Sequence, residues 1–101
     1  MEKILGMIGL AKRAGKICAG GFLCEDAIKK RTSKLIIIAE DASEKSKKSI
    51  TDSCKFYKIP YLEFSGKELL GKYCGGGERS VVSVNDKNFA EAIKAKIDLM
   101  Q

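Results

Sequence analysis

Apolar residues along this chain follow two repeats that alternate from one segment to the next. From Ile4 to Ala14 they recur at the three- and four-residue spacing of one helix face, and this stripe ends at Gly15. Lys16 to Ala19 is too short for a helix and predicts a small strand that stops at Gly20 and Gly21. The first part of the chain therefore predicts a helix, a strand and a glycine turn.

The middle of the chain predicts two helices separated by a buried strand. A helix from about Phe22 to Arg31 ends in a basic turn, which complements the helix dipole. Leu35 to Ala39 is a continuous apolar run rich in isoleucine, typical of a strand that is buried on both faces. Asp41 followed by Glu44 predicts the start of a third helix that extends to about Tyr57.

The next segment repeats the alternation after the only proline. Tyr61 to Phe64 predicts a short third strand. Ser65 and Glu68 match the S-x-x-E capping box, so we expect a fourth helix over Lys67 to Tyr73.

The last segment contains a strand and a final helix. Val81 to Val84 predicts the strand, and Asn85 or Asp86 is expected to cap the helix. The predicted core face of this helix consists of Phe89, Ile93, Ile97 and Met100.

The order of these elements, α-β-α-β-α-β-α-β-α, predicts an α/β fold. We expect a three-layer α-β-α sandwich with a four-stranded mixed sheet and about five helices, formed by one domain over residues 1–101. Periodicity does not determine the order of the strands within the sheet.

Cysteines and apolar run lengths indicate the cellular setting. No apolar run approaches the roughly 18 residues that cross a bilayer, and the N-terminal residues do not resemble a signal peptide. The cysteines, at positions 18, 24, 54 and 74, are irregularly spaced, which favours reduced and mostly buried thiols over bridges or zinc ligands. We expect a cytoplasmic monomer that has no membrane partner, metal or cofactor.

The residues required for common catalytic mechanisms are missing. The chain has no histidine to act as a general base. Gly15 and Gly20 have the spacing of the glycines in a P-loop, but Gly21 and Phe22 occupy the places of its lysine and hydroxyl residue. We therefore expect neither an enzyme nor a small-molecule substrate.

The basic excess of the chain lies near its start. Residues 1–34 carry eight basic and three acidic side chains, out of a net charge of +6. This asymmetry is typical of a surface that binds phosphates, although small domains also carry such charge for solubility. Six of the seven aromatic residues lie outside this basic third and are most simply core residues.

Several motifs, taken together, resemble one known family. Ile8 to Lys16 (IGLAKRAGK), Lys34 to Ala42 (KLIIIAEDA), Ile59 to Tyr61 (IPY) and Lys67 to Gly71 (KELLG) follow in order along nearly the whole chain. They resemble bacterial members of the kink-turn RNA-binding ribosomal protein family. That resemblance implies an α-β-α sandwich that binds sharply bent RNA flanked by G·A pairs.

In that family the glycine turn and the start of the second helix enter the RNA groove, and the loop before the last strand closes over bulged nucleotides. Glycine and the free N–H groups of a helix N-terminus suit this use, and nearby cations attract phosphates. The residues we expect to contact structured RNA, ribosomal RNA included, are Lys12, Arg13, Lys16, Gly20, Gly21, Phe22, Lys29, Lys30, Lys34, Gly75, Gly76, Gly77, Glu78 and Arg79. Without RNA binding, the two glycines at 20 and 21 would form an ordinary tight turn and residues 75–79 a surface loop. The lysines would then be a solvated basic face.

Three positions depart from the family pattern. Archaeal and eukaryotic members carry Asn-Glu after the glycine turn and a lysine three residues further on, whereas this chain has Phe22, Leu23 and Asp26. Phe22 is predicted either to stack on a base or to pack beneath the turn. The alternative function is a protein-interaction adaptor on the same fold that has lost specific RNA recognition.

Overall fold

The nine predicted elements are all present, in the predicted order, in the computed structural model, which describes residues 2–100. The helices are α1 (Glu2–Arg13), α2 (Gly21–Lys29), α3 (Glu44–Tyr57), α4 (Lys67–Tyr73) and α5 (Lys87–Leu99). The strands are β1 (Ile17–Ala19), β2 (Leu35–Ile38), β3 (Tyr61–Glu63) and β4 (Val81–Val84). Within residues 2–100, no helix is both long and apolar enough to span a lipid bilayer.

The four strands form one mixed sheet in the order β1-β4-β2-β3. β2 and β3 are parallel and are connected through α3, whereas β4 runs antiparallel to both of its neighbours. Helix α2 packs beside α3, and α1 packs against α4 and α5, so the helices form two groups. Every residue of β2 and β4 is buried, because helices cover both faces of the sheet. The predicted α/β sandwich is confirmed.

A polar chain crosses this otherwise apolar core. The Ser33 and Ser83 hydroxyls lie 2.7 Å apart, and Ser83 Oγ is 2.6 Å from Asn85 Oδ1. Asn85 Nδ2 donates to Cys18 Sγ at 3.6 Å. These bonds satisfy groups whose burial without partners would cost about 1–3 kcal/mol each.

The predicted capping of α3 and α4 is wrong, although both helices lie where expected. Ser43 caps α3 by accepting a hydrogen bond from the Ser46 N–H at 3.1 Å. Asp41, which was predicted to start α3, instead accepts a hydrogen bond from the Lys67 N–H at the start of α4. Ser65 does not cap α4, because its backbone is left-handed (φ 62°) and Gly66 occupies the cap position.

Other predictions about exposure are corrected or confirmed by the packing. Met100 is 51% exposed at the end of α5, and Phe56 is 78% exposed, so neither is a core residue. Asp86 caps α5 through the Phe89 N–H. All four cysteines are free thiols as expected, and Cys18 alone among them is only half-buried.

Candidate nucleic-acid interface

In the turn between β1 and α2 the backbone adopts a conformation that is easier for glycine than for other residues. Gly20 has φ 96° and ψ 153°, in a region that L side chains rarely adopt. Its N–H donates to the Val81 carbonyl at 3.0 Å, and its carbonyl accepts from the Cys24 N–H at 3.0 Å. No side chain caps α2, so the N–H groups of its first turn remain available to an acceptor from outside.

A cleft of about 570 Å³ lies beside this turn. It is enclosed by the start of α2, the first turns of α3 and the segment that leads into β4. The residues that line it are Gly20, Gly21, Phe22, Glu25, Ile38, Ala42, Lys45, Ser46, Ser49, Ile50, Glu78, Arg79, Ser80 and Val81. Gly20 and Gly21 therefore border the same cleft as Glu78 and Arg79.

The cleft contains a hydrogen-bond donor and an acceptor that are both unpaired. Arg79 Nε and Glu25 Oε1 are buried and have no hydrogen-bond partner within residues 2–100. The Arg79 backbone is held in place, because its N–H donates to the Lys67 carbonyl at 3.0 Å. Lys45 adds an exposed cation at the start of α3. Such a set of groups suits the phosphates and polar base edges of a nucleic acid.

The apolar residues that open α2 are directed to solvent. Phe22 is 84% exposed and Leu23 is 51% exposed, so packing of Phe22 beneath the turn is excluded. Asp26 pairs with Lys30 at 3.0 Å along the same helix. Phe22 is thus free to stack on a planar group at the cleft, and Asp26 is engaged elsewhere.

The triglycine segment packs on α4 and is not a detached loop. A Cβ added at Gly71 would overlap the Gly77 carbonyl oxygen, which leaves no room for any side chain there. Gly75, Gly76 and Gly77 all have positive φ. Lys12 reaches this segment, with its Cε 3.6 Å from the position of a Gly75 Cβ. Lys12 and the three glycines therefore form one continuous surface.

Other predicted residues lie outside the cleft. Lys29 and Lys30 lie at the C-terminal end of α2. Lys34 lies just before the start of β2, at the opposite end of the strand from Ile38. The Lys16 carbonyl accepts from the Asn85 N–H, next to the start of β1 rather than its end. Arg13 is exposed in the last turn of α1.

Sequence reasoning missed the contribution of α3 to the cleft. Lys45, Ser46 and Ser49 line one wall, although nothing in the helical pattern marks them. Their position follows from the sheet order, because α3 starts where β2 ends, at the same edge of the sheet as the end of β1 that carries the glycine turn. A serine-rich, basic start to a helix after a buried strand is the one weak signal that was present.

Cys18 lies next to the glycine turn with an unusual acidity. Its pKa is lowered to about 6, chiefly by the neighbouring Cys24 thiol and further by Asn85, whose Nδ2 donates to the Cys18 sulfur, while burial opposes the shift. The neighbouring Cys18 side chain and, after it, burial raise the pKa of Cys24. The pair places an acidic, half-buried thiol next to a buried thiol of low acidity, beside the glycine turn.

Comparisons with known proteins agree with the fold and the motifs. A model of the ribosomal protein L7Ae/L30e/S12e/Gadd45 family matches residues 2–94. The chain is 37% identical over 92 residues to the RNA-binding protein YlxQ of Bacillus subtilis, covering 91% of this chain and 92% of that protein. It is 36% identical over 98 residues to the RNA-binding protein YlxQ of Enterococcus faecium, covering 96% and 93%.

Two solved structures share the architecture. A Bacillus halodurans protein of unknown function superposes with a TM-score of 0.91 at 33% identity, covering 95% of this chain and 97% of that chain. The Giardia lamblia 15.5kD RNA binding protein superposes with a TM-score of 0.80 at 20% identity, covering 96% and 86%. The second likeness concerns the fold alone.

Proposed function

Because the chain belongs to the ribosomal protein L7Ae/L30e/S12e/Gadd45 family, we propose that it binds structured, kink-turn-like RNA in a ribosomal or other ribonucleoprotein particle. The family resemblance of the sequence motifs is thereby confirmed. Two relatives more than 30% identical are named RNA-binding proteins, which supports the same role here. The role is one of binding without a catalytic step.

The observation that carries this proposal is the cleft at the glycine turn. Its lining combines an uncapped helix N-terminus, the unpaired Nε of Arg79 and the exposed ring of Phe22. A helix N-terminus and an arginine attract phosphate, and a free aromatic ring stacks on an unpaired base. These are three complementary ways to hold a bent RNA backbone and one extruded nucleotide.

The proposed mode of recognition depends on shape more than on side-chain contacts to guanine. Phe22 and Leu23 have no polar group for the edges of G·A pairs, and Asp26 is paired with Lys30. The backbone N–H groups of the turn and first helical turn remain as donors. Recognition of the bend by its backbone geometry follows, as is usual for structured RNA.

The proposal is tested by titration with a kink-turn RNA and with a matched RNA whose G·A pairs are replaced by Watson–Crick pairs. Each titration is done at two salt concentrations, with light scattering to measure the stoichiometry. We expect tighter binding to the intact motif and a steep loss of affinity with salt. Equal affinity for both RNAs reduces the interaction to non-specific charge and contradicts the proposal.

Two single variants locate the interface. Arg79→Ala removes the cleft guanidinium and is expected to weaken binding to the intact kink-turn RNA by about tenfold or more, since hydrogen bonds to charged groups contribute roughly 1.5–3 kcal/mol. Lys16→Ala removes a charge from outside the cleft lining and is expected to have a much smaller effect. An equal effect of both substitutions would place the RNA elsewhere.

The exposed apolar pair at the turn also favours a second candidate, a protein-interaction adaptor. Phe22 and Leu23 place apolar surface in solvent at the entrance to the cleft, which is typical of a protein contact. The same titration separates the two candidates. Absence of RNA binding at low salt would favour the adaptor.

A further inference from the structure

The end of the molecule opposite the cleft has its own chemical character. The cleft lies at the N-terminal ends of α2 and α3, which pack side by side. Their C-terminal ends, at Lys29 and Tyr57, therefore meet at the other end of the helix pair. Helix α3 has 14 residues and is about 21 Å long at 1.5 Å per residue, so the two ends are well separated.

This opposite end carries a cluster of basic side chains. We define the basic end as six exposed cations and one exposed ring: Lys29, Lys30, Arg31, Lys34, Lys55, Lys58 and Phe56. Residues 27–35 and 53–62, which contain them, include no acidic side chain. The basic end thus groups six of the nineteen basic side chains of the chain.

Contacts between its two segments hold the basic end together. The Arg31 Nη1 donates to the Tyr57 carbonyl at 3.3 Å, and the guanidinium lies 5.6 Å from the centre of the Tyr57 ring. Lys34 Nζ donates to the Arg31 carbonyl at 3.4 Å. Lys30 pairs with Asp26, and the other five cations have no ion-pair partner within the described residues. The surface is therefore cationic, and most of its charged groups are free to bind an anionic ligand.

An aromatic ring stands out of this cationic surface. Phe56 is 78% exposed, and its ring meets that of Tyr57 edge to face, with centroids 4.9 Å apart at 73°. Tyr57 in turn packs against the core. Phe56 is thus supported from one side and leaves a ring face open to a planar ligand.

Two cations of the basic end occupy positions that suit glycine better. Arg31 has φ 62°, and Lys58, the C-cap of α3, has φ 60°. Glycine is the common residue at such left-handed caps. Lys29 and Lys55 in the last helical turns complement the helix dipoles, but Arg31, Lys34 and Lys58 lie beyond the helix ends. Backbone conformation and helix dipoles therefore do not account for the cations at these positions.

We infer that the basic end is a second RNA-contacting surface, which binds a single-stranded segment: its cations hold the phosphates and Phe56 stacks on an unpaired base. Positive grooves with a free aromatic ring bind single strands in this way. This inference goes beyond the cleft and does not depend on recognition of a kink-turn there. With both surfaces occupied, one copy of the protein bridges two RNA segments.

The first test asks whether the two surfaces act separately. Binding of a fluorescent ten-nucleotide oligouridylate to the full chain is measured by anisotropy, alone and in the presence of saturating kink-turn RNA. We expect both complexes to form, with oligouridylate affinities within about threefold of each other. Displacement of the oligouridylate by kink-turn RNA, or no binding of it at low salt, overturns the inference. The kink-turn titration itself reports on the cleft, so failure of one proposal is distinguishable from failure of the other.

The second test uses variants that retain the fold. Phe56→Ala is expected to weaken oligouridylate binding by about fivefold or more and to leave kink-turn affinity within twofold. Leu99→Ala, at an equally exposed apolar residue on α5, is the matched control and should change neither. An unchanged oligouridylate affinity of Phe56→Ala contradicts the stacking contact and overturns the inference.

The third test counts the phosphate contacts. Arg31→Gly with Lys58→Gly removes two charges and keeps the left-handed backbone. The slope of log affinity against log salt for oligouridylate should fall by about 1.4, since each contact on a single strand contributes roughly 0.7. Lys96→Ala, which removes a charge from α5, should leave the slope unchanged. Equal binding of a ten-residue oligoglutamate would show a general anion surface and overturn the assignment to RNA.

Discussion

The carboxylate of Asp41 caps a helix that begins 26 residues later in the chain, because its Oδ1 accepts a hydrogen bond from the Lys67 N–H at 2.8 Å. The Gly66 that precedes this helix has no side chain to do so. Asp41 lies shortly after the end of β2 at Ile38 and is next to Ala42, which lines the cleft. One side chain therefore connects the end of a central strand to α4, whose Lys67 carbonyl in turn holds Arg79.

Loss of this cap is expected to destabilise the fold. Asp41→Ala should lower the free energy of unfolding by about 1 kcal/mol, the usual contribution of an N-cap side chain. Asp41→Asn keeps an acceptor and should lose much less, and Ser65→Ala should leave the cap intact. Urea unfolding followed by circular dichroism measures all three. An equal loss of stability in Asp41→Asn would show that the negative charge of Asp41, and not its capping hydrogen bond, stabilises the fold.

Contact between α4 and the triglycine segment predicts a second stability effect. Gly71→Ala should lower the free energy of unfolding by about 1–3 kcal/mol, as overpacking does, because its Cβ has no room beside Gly77. Gly6→Ala is the matched control, since nothing lies within 4 Å of its Cβ and alanine favours a helix. That variant should be stabilised by up to about 1 kcal/mol. A neutral Gly71→Ala would show that the segment moves away at little cost.

The acidity of Cys18 predicts a distinctive chemical reactivity. Its pKa is lowered from 9.0 to about 6, so the nucleophilic thiolate predominates above pH 6 and is lost as the pH falls below that value. Alkylation of Cys18 by iodoacetamide should therefore rise up to about pH 7 and then level off. Burial raises the pKa of Cys54 to about 12 and that of Cys74 to about 11, so these thiols should react slowly.

Peptide mass spectrometry across pH 5–9 resolves the individual cysteines. Asn85→Ala removes one donor to the Cys18 sulfur and should move the midpoint of its alkylation upward. A midpoint that stays near the ordinary thiol value in the unaltered protein contradicts the hydrogen-bonded thiolate.

The exposure of Phe22 separates its role in binding from a role in folding. Phe22→Ala should leave the free energy of unfolding nearly unchanged, because the ring is 84% exposed. Affinity for kink-turn RNA should fall by about 1–3 kcal/mol if the ring stacks on a base as proposed. Leu99→Ala, 85% exposed and distant from the cleft, provides the control. Unchanged affinity in Phe22→Ala would remove stacking from the proposed interface.

Much of the fold was predictable because it depends on local periodicity. The buried run at Leu35 and the helical stripe from Ile4 each determine an element, and the boundaries agree within a few residues. The helix caps were predicted wrongly where a local motif suggested one residue and the folded chain brings another residue to the helix start. Ser65 and Glu68 match a capping box, but the left-handed backbone of Ser65 and the approach of Asp41 depend on the folded chain.

The candidate site was predictable only in part for a similar reason. The family resemblance assigned both the glycine turn and Arg79 to RNA contact, and both line the same cleft. Lys29 and Lys34 were expected on the same surface, yet α2 carries the chain away from the turn, by about 13 Å over nine residues. This separation could have been calculated from the predicted length of α2. The position of Lys45 depends on the order of the strands, which the hydrophobic periodicity of the sequence does not determine.

The central position of β4 has a consequence for how the protein is made. β1 pairs with β4 alone, and β4 also completes the antiparallel edge of β2, although it is the last strand to be synthesised. A nascent chain therefore cannot assemble the sheet until residues 81–84 have left the ribosome. The Gly20 N–H also bonds to the Val81 carbonyl, so the cleft forms only after residue 81 has been synthesised. Nascent chains that end before residue 81 therefore lack the glycine-turn cleft and the RNA binding proposed for it.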